Sequence, residues 1–268
     1  MTYVSVATKA LFQGRGTRVL VLLERVLLAS RNQWTALLSG FFEPVFFLIA
    51  FRWGLGGQAT SVAGSDGHSV DYSSYIAPAL LAASAMNGAV QYATFNIFFK
   101  LKHSRLYQAF LATPLEPGEI VASEVSWAAV RGGSYAVGFL AVMYAIGATT
   151  SPWALLVIPA GVLTALGFAA AGMAATTFVR SPQDFDIIRV VLLGMFLFSA
   201  TFYPLSVYPQ PVRLLVEYTP LCQATEMMRS LTTGSISWSL LGAVVYFIVL
   251  IVLGVTAATH RLRGLLLS

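Results

Sequence analysis

The apolar residues of this chain fall in long blocks, neither alternating with polar ones nor confined to a narrow helical stripe. Six blocks stand out, at residues 34–53, 74–97, 122–146, 153–178, 188–205 and 237–259. A bilayer span needs about 20 mostly apolar residues; the fifth block is the shortest. The pattern predicts an all-α polytopic membrane protein whose six transmembrane helices form one domain over 34–259. Spans one to three and four to six share neither motif nor spacing, so no internal repeat supports an inverted-repeat transporter.

Three segments between the blocks carry a pattern of their own. Around residues 17–33, Thr17, Arg18, Glu24, Arg25, Arg31 and Asn32 share one helical arc. Val19, Leu22, Leu23, Val26 and Leu27 fill the rest, the pattern of an amphipathic helix lying on the membrane before span one. The segment Phe99–Glu119, FKLKHSRLYQAFLATPLEPGE, is basic and amphipathic. In helical register Phe99, Leu106 and Phe110 form one stripe, with Ser104, Arg105 and Gln108 opposite. Pro114 ends that helix and Pro117-Gly118 turns the chain into span three. Such a helix suits either an anionic lipid surface or a groove on a partner. Residues 206–236 are too apolar and aromatic for a solvated loop, and they read as short re-entrant helices covered by protein. The Gly- and Ser-rich stretch 54–73 reads as irregular.

Composition agrees with a membrane protein. Hydrophobic residues make up 57% of the chain and charged ones 10%, where soluble domains carry about 25% charged residues. Mean hydropathy is +0.75. The net charge of +5 comes from loop residues that set topology, so it does not point to nucleic acid. Twelve of the sixteen basic residues lie in the N-terminal segment, the loops after spans two and four, and the tail. The positive-inside rule therefore makes both termini cytoplasmic: residues 1–33 with the interfacial helix, and the tail 260–268.

Candidate chemistry is sparse. No G-x-x-x-x-G-K-[ST] occurs, so the chain does not cradle a nucleotide phosphate by a P-loop. H-E-x-x-H, C-x-x-C and G-x-S-x-G are absent, and the three histidines are scattered. No catalytic residue and no metal site is assigned. Intramembrane polar residues are Glu43, Glu124 and Arg131, with Arg52 closing span one. Glu124 and Arg131 are two helical turns apart on one face. They read either as a polar patch on a path or mobile interface, or as an interspan packing pair. In span four, Gly167 and Ala171 have small-xxx-small spacing, extended by Gly161, Gly172 and Ala175, which predicts close helix packing within the subunit or across a dimer.

Several stretches carry a family resemblance. YIAPALLAASAM at 75–86, LATPLEPGEIVASEVSWAAVR at 111–131, FLFSATFYPLSVYP at 196–209 and PLCQATEMMRSL at 220–231 resemble the type-2 ABC exporter permeases (ABC-2 family). The nearest branch is the nodulation-type, NodJ-like lipooligosaccharide exporters, with the antibiotic and multidrug efflux permeases beside it. Ala79 and Ala200 stand where that pattern has Gly, and Gln223 where a His is common. The resemblance implies a bacterial cytoplasmic (inner) membrane, multi-pass permease. It makes 99–117 a coupling helix docked on a cytosolic ATP-binding subunit, through Phe99, Lys100, Lys102, Arg105, Leu106, Phe110, Leu111 and Glu116. It further implies two such ATPase subunits carrying ATP and Mg, and a second permease, identical or paralogous. Spans one, two and five would then shape a path for an amphiphile. Phe196, Phe198, Phe202 and Tyr203 would either gate its outer end or serve as ordinary aromatic packing. The competing readings are a self-contained secondary transporter or channel, which predicts buried acids along the spans, and a membrane-embedded transferase, which predicts clustered His, Asp or Glu at one face.

Overall fold

The computed structural model describes residues 22–24, 34–54, 62–63, 69–102, 115–149 and 151–267. Nearly all of these are helical. Helix α1 spans Trp34–Gly54. Helix α2 spans Tyr72–Gln91 and passes through a π-helical turn, Tyr92–Asn96, into α3, Ile97–Lys102. Helix α4 is Pro117–Ala145 and α5 is Val157–Thr176, entered by a 3-10 turn at Pro152–Leu156. Helix α6 is Phe185–Phe198. The short helices α7, Gln210–Glu217, and α8, Pro220–Thr233, precede α9, Trp238–Leu267.

Three sequence expectations change. The stretch 54–73 is not wholly irregular: Val62–Ala63 and Ser69–Val70 pair as an antiparallel ladder, with Val62 opposite Val70. β-Branched residues on either side of a Gly- and Asp-containing connection favour such pairing. Pro117 does not turn the chain between elements. It occupies the first turn of α4, where its missing N–H costs nothing, and Glu116 is the N-cap. The third helix therefore begins before residue 122. The fifth is displaced toward the N-terminus as well: α6 starts at Phe185 and stops at Phe198, and of 199–205 only Leu205 is helical, where it opens the 3-10 turn Leu205–Val207. Its 14 residues are about 21 Å long. It starts early because the Asp184 carboxylate accepts the backbone N–H groups of Arg180 at 2.8 Å and Ser181 at 3.0 Å, which hold that carboxyl below the usual carboxylate range. It stops where Ala200 takes a left-handed conformation at φ 56°.

Helix α5 is the centre of the bundle, packed against α2, α4 and α9. A Cβ on Gly132 of α4 would collide with the Ala165 methyl of α5 and stand 3.0 Å from the Gly161 carbonyl. A Cβ on Gly167 would sit 2.6 Å from the Phe247 ring of α9. Gly161, Gly167 and Gly172 of span four thus serve packing within the subunit, while Ala175 is exposed. Two helices, Pro152–Thr176 and Trp238–Leu265, are each long and apolar enough to cross a membrane. The second keeps an exposed row that includes Leu241, Val245, Val252 and Leu253, the surface an outer helix offers to lipid.

Side-chain contacts sort the element ends into two groups. At one end Lys100 reaches Glu124, Thr176 Oγ1 donates to the Ala93 carbonyl at 3.0 Å, Phe95 stacks on Phe185 at 4.5 Å, and Arg261 covers the Phe178 ring at 4.4 Å. At the other, Arg52 donates to the Ile146 carbonyl at 2.7 Å and Thr149 to the Thr232 carbonyl at 2.8 Å. Tyr75 Oη donates there to the Ala200 carbonyl at 3.2 Å. The passes α1, α2–α3, α4, α5, α6 and α9 therefore alternate in direction. Lys100, Arg180, Arg189 and Arg261 collect at the first end, and Arg52 and Arg229 at the second.

Candidate functional site

The densest polar cluster in the described bundle lies where α2–α3 meets the first turns of α4. Glu124 is 3% exposed. Its two carboxylate oxygens accept Lys100 Nζ at 2.7 and 2.8 Å, and one also accepts the Tyr92 hydroxyl at 2.7 Å. Lys100 Nζ lies 3.0 Å from that hydroxyl as well. Two turns along α4, the buried Arg131 guanidinium sits 5.6 Å from the Tyr92 ring centre and donates to the Tyr135 hydroxyl at 3.1 Å. Burying an ion pair is tolerable only when further hydrogen bonds satisfy it. Tyr92 supplies that bond, and its ring links the pair to Arg131. Glu124 and Arg131 do share a face, as their spacing predicts, and Lys100 turns inward to meet them. Tyr92 was not singled out by the sequence reading, since a Tyr in an apolar block has no signature of its own.

Of the residues expected to contact an ATPase, Arg105, Leu106, Phe110 and Leu111 lie outside the described residues. So does the side chain of Lys102, and that of Glu43 within α1. Phe99 is 47% exposed at the end of α3. Glu116 is exposed at the N-terminus of α4, where its backbone N–H donates to the Glu119 carboxylate at 3.0 Å. That bond is half of a capping box. Of the interfacial helix only 22–24 are described; Leu22 is buried and Glu24 exposed.

The four aromatic residues proposed for an outer gate do not form one cluster. Phe196 packs on Phe202 at 5.2 Å, and Phe202 on Phe51 of α1 at 5.7 Å. Phe198 is 53% exposed beside Tyr208, and Tyr203 is 60% exposed. Beneath the first group a cavity of about 280 Å³ opens between α1, α2 and α6, lined by Pro44, Phe47, Leu80, Asn87, Arg189 and Phe196 among others. A second cavity shares Asn87 and Arg189 and adds Gln91 and Thr94. Together they make a groove with Phe47 and Phe196 toward one end and, toward the other, Asn87, Gln91, Thr94 and Arg189 set beside Phe95 and Phe185.

At the opposite end of the bundle from Arg189, beside Ala200, Arg229 is the hub. Its guanidinium lies 3.8 Å from the Tyr75 ring centre, donates to the carbonyls of Ala200 at 3.1 Å and Tyr75 at 3.4 Å, and pairs with Glu226. The left-handed turn at Ala200 is thus held by two donors. Gln223 donates to the Glu217 carbonyl at 2.8 Å, tying α8 to the end of α7. A left-handed conformation costs an L-residue roughly 1–2 kcal/mol, while the buried Ala200 methyl contributes about 0.8 kcal/mol. Ala200→Gly should therefore shift the thermal midpoint of the purified protein little, whereas Ala200→Val, β-branched at positive φ, should lower it by several degrees.

Comparison with known proteins agrees with this architecture. The ABC-2 type transporter family matches residues 17–233. Nodulation protein J of Rhizobium leguminosarum bv. trifolii is 28% identical over 200 residues, 74% of each chain. Nodulation protein J of Rhizobium meliloti (strain 1021) is 26% identical over 201 residues, 75% of each chain. That of Neorhizobium galegae is 26% identical over 235 residues, 85% of this chain and 86% of its own. The long apolar passes, the small-residue contacts around α5 and a match that runs through nearly all of them lead to one conclusion: this chain is a member of the ABC-2 type transporter family.

Proposed function

We propose that the chain is the permease subunit of an ATP-driven exporter. It moves an amphiphilic substrate, of the glycolipid, lipooligosaccharide, polysaccharide or hydrophobic-drug kind, out of the cytoplasm or inner leaflet. In this reading its six passes cross the cytoplasmic membrane with both termini inside, and α7 and α8 form the re-entrant segment. ATP and Mg are held by two cytosolic ATP-binding subunits, and a second permease completes the path. The family is one of membrane transport subunits that typically work with an ATP-binding subunit.

The observation that carries the proposal is the clustering of basic side chains at one end of the bundle. Residues 103–114 leave α3 and return to α4 at that same end, which fits a cytosolic docking segment. An amphiphile fits the groove of α1, α2 and α6: a polar head near Asn87, Gln91 and Arg189, an apolar part along Phe47, Leu80 and Phe196.

Purification with and without the partner ATPase tests the proposal. The wild-type chain should co-elute with the ATP-binding subunit and raise its ATP hydrolysis. Leu106→Asp combined with Phe110→Asp should abolish co-elution while leaving a monodisperse permease. Transport by the permease alone, or intact assembly and ATPase coupling in the double variant, would refute it.

A further inference from the structure

The turn that carries Tyr92 is the least regular part of an otherwise regular helix. Residues eight apart on an α-helix differ by about 80° around its axis. A single i→i+5 turn inserts one extra residue, so Tyr92 and Lys100 have an effective spacing of seven and differ by about 20°. That brings the Tyr92 hydroxyl and Lys100 Nζ together on the Glu124 carboxylate. Without the turn, Lys100 would stand about 80° around the helix from Tyr92, out of line with Glu124. The turn loosens the backbone, and two hydroxyls support it: Thr94 Oγ1 donates to the Val90 carbonyl at 2.7 Å, and Thr176 Oγ1, from the end of α5, donates to the Ala93 carbonyl at 3.0 Å. π-Helical turns are rare and frequently sit at functional sites.

Lys100 lies two residues before α3 ends, and Glu124 lies in the early turns of α4. The ion pair therefore joins the two roots of residues 103–114. We infer that Lys100, Glu124 and Tyr92 form a clasp that makes α2–α3 and α4 move as one body when that segment is pushed. The Tyr92 ring passes the displacement to Arg131, about 10 Å deeper along α4. These are positioning residues: they touch neither nucleotide nor substrate. The inference rests on the exporter reading and specifies how its stroke reaches the bundle.

The test uses the full complex of permease and ATP-binding subunit in vesicles of phosphatidylethanolamine and phosphatidylglycerol. It compares wild type, Lys100→Met, Glu124→Gln, and the exchange Lys100→Glu with Glu124→Lys. Three quantities are read: the permease thermal midpoint, the amount of ATPase subunit retained, and the permease-dependent increase in ATP hydrolysis. Each single variant should retain the partner yet lose at least fivefold of the permease-dependent increase, and the charge exchange should recover at least half of it. Unchanged hydrolysis in both single variants overturns the clasp. So does loss of the folded permease in the singles without recovery in the exchange, the result a purely structural pair would give. If wild type itself neither retains nor stimulates the ATPase, the exporter reading has failed and the clasp with it; that outcome is recognisable because it precedes any substitution.

Discussion

Gly132→Leu should leave no folded protein to purify. The α4 backbone at Gly132 touches the Ala165 methyl and the Gly161 carbonyl of α5, and a Cβ on Gly161 would in turn stand 2.7 Å from the Ala136 methyl. A leucine can be accommodated only by moving two helix axes apart. Inside a bilayer helices gain little from leaving lipid, so close dispersion contact is what holds them together. Overpacking costs typically about 1–3 kcal/mol, and rigid backbone on both sides places this site at the upper end. Gly132→Ala should lower the midpoint measured by heating and size exclusion, and Gly132→Leu should give only aggregate. Gly194→Ala is the matching control. Nothing lies within 4 Å of a Cβ there, and replacing a glycine inside a helix by alanine, where there is room for the methyl, stabilises by up to about 1 kcal/mol.

Arg229→Ala should be the most damaging change at the opposite end of the bundle. It removes the donor to the Ala200 and Tyr75 carbonyls, the cation over the Tyr75 ring and the partner of Glu226. Breaking a buried pair from one side costs about 3–5 kcal/mol. Glu226 is 38% exposed and can be solvated in part, so about 3 kcal/mol is expected. Arg229→Lys keeps the charge but not the planar fork whose Nη2 serves both carbonyls while Nη1 pairs with Glu226, and should recover about half of the lost thermal midpoint. Tyr75→Phe removes one donor to the Ala200 carbonyl and should cost about 1 kcal/mol.

How much of this is legible in the sequence depends on the kind of signal. Pro117 and Glu116 start α4 by local chemistry, and a Pro-Gly pair alone does not distinguish the first turn of a helix from a turn between elements. Hydropathy carries the fifth block past Phe198, while the helix is ended by the left-handed turn at Ala200. Arg229 lies in the PLCQATEMMRSL stretch that carries the family resemblance, but nothing local shows that it stacks on a ring 154 residues away.

The candidate site divides in the same manner. The seven-residue spacing of Glu124 and Arg131 puts them on one face whatever the tertiary structure, and Lys100 was singled out for its place in the basic segment. Their meeting through Tyr92 depends on one inserted residue in a helix, which follows no hydropathy period. The four aromatics of 196–203 look like one group in sequence, but Phe196 and Phe202 turn toward Phe51 while Phe198 and Tyr203 face outward.

By itself, the sequence determined the class, the order of the long apolar helices and the end at which basic residues collect, because burial in lipid constrains every residue of a long apolar block in the same way. The tertiary structure alone decided which helix is central, where the π-helical turn places Lys100 and what holds Arg229. Those features rest on close approach between residues far apart in the chain, and neither hydropathy nor period records which backbone a small residue will touch.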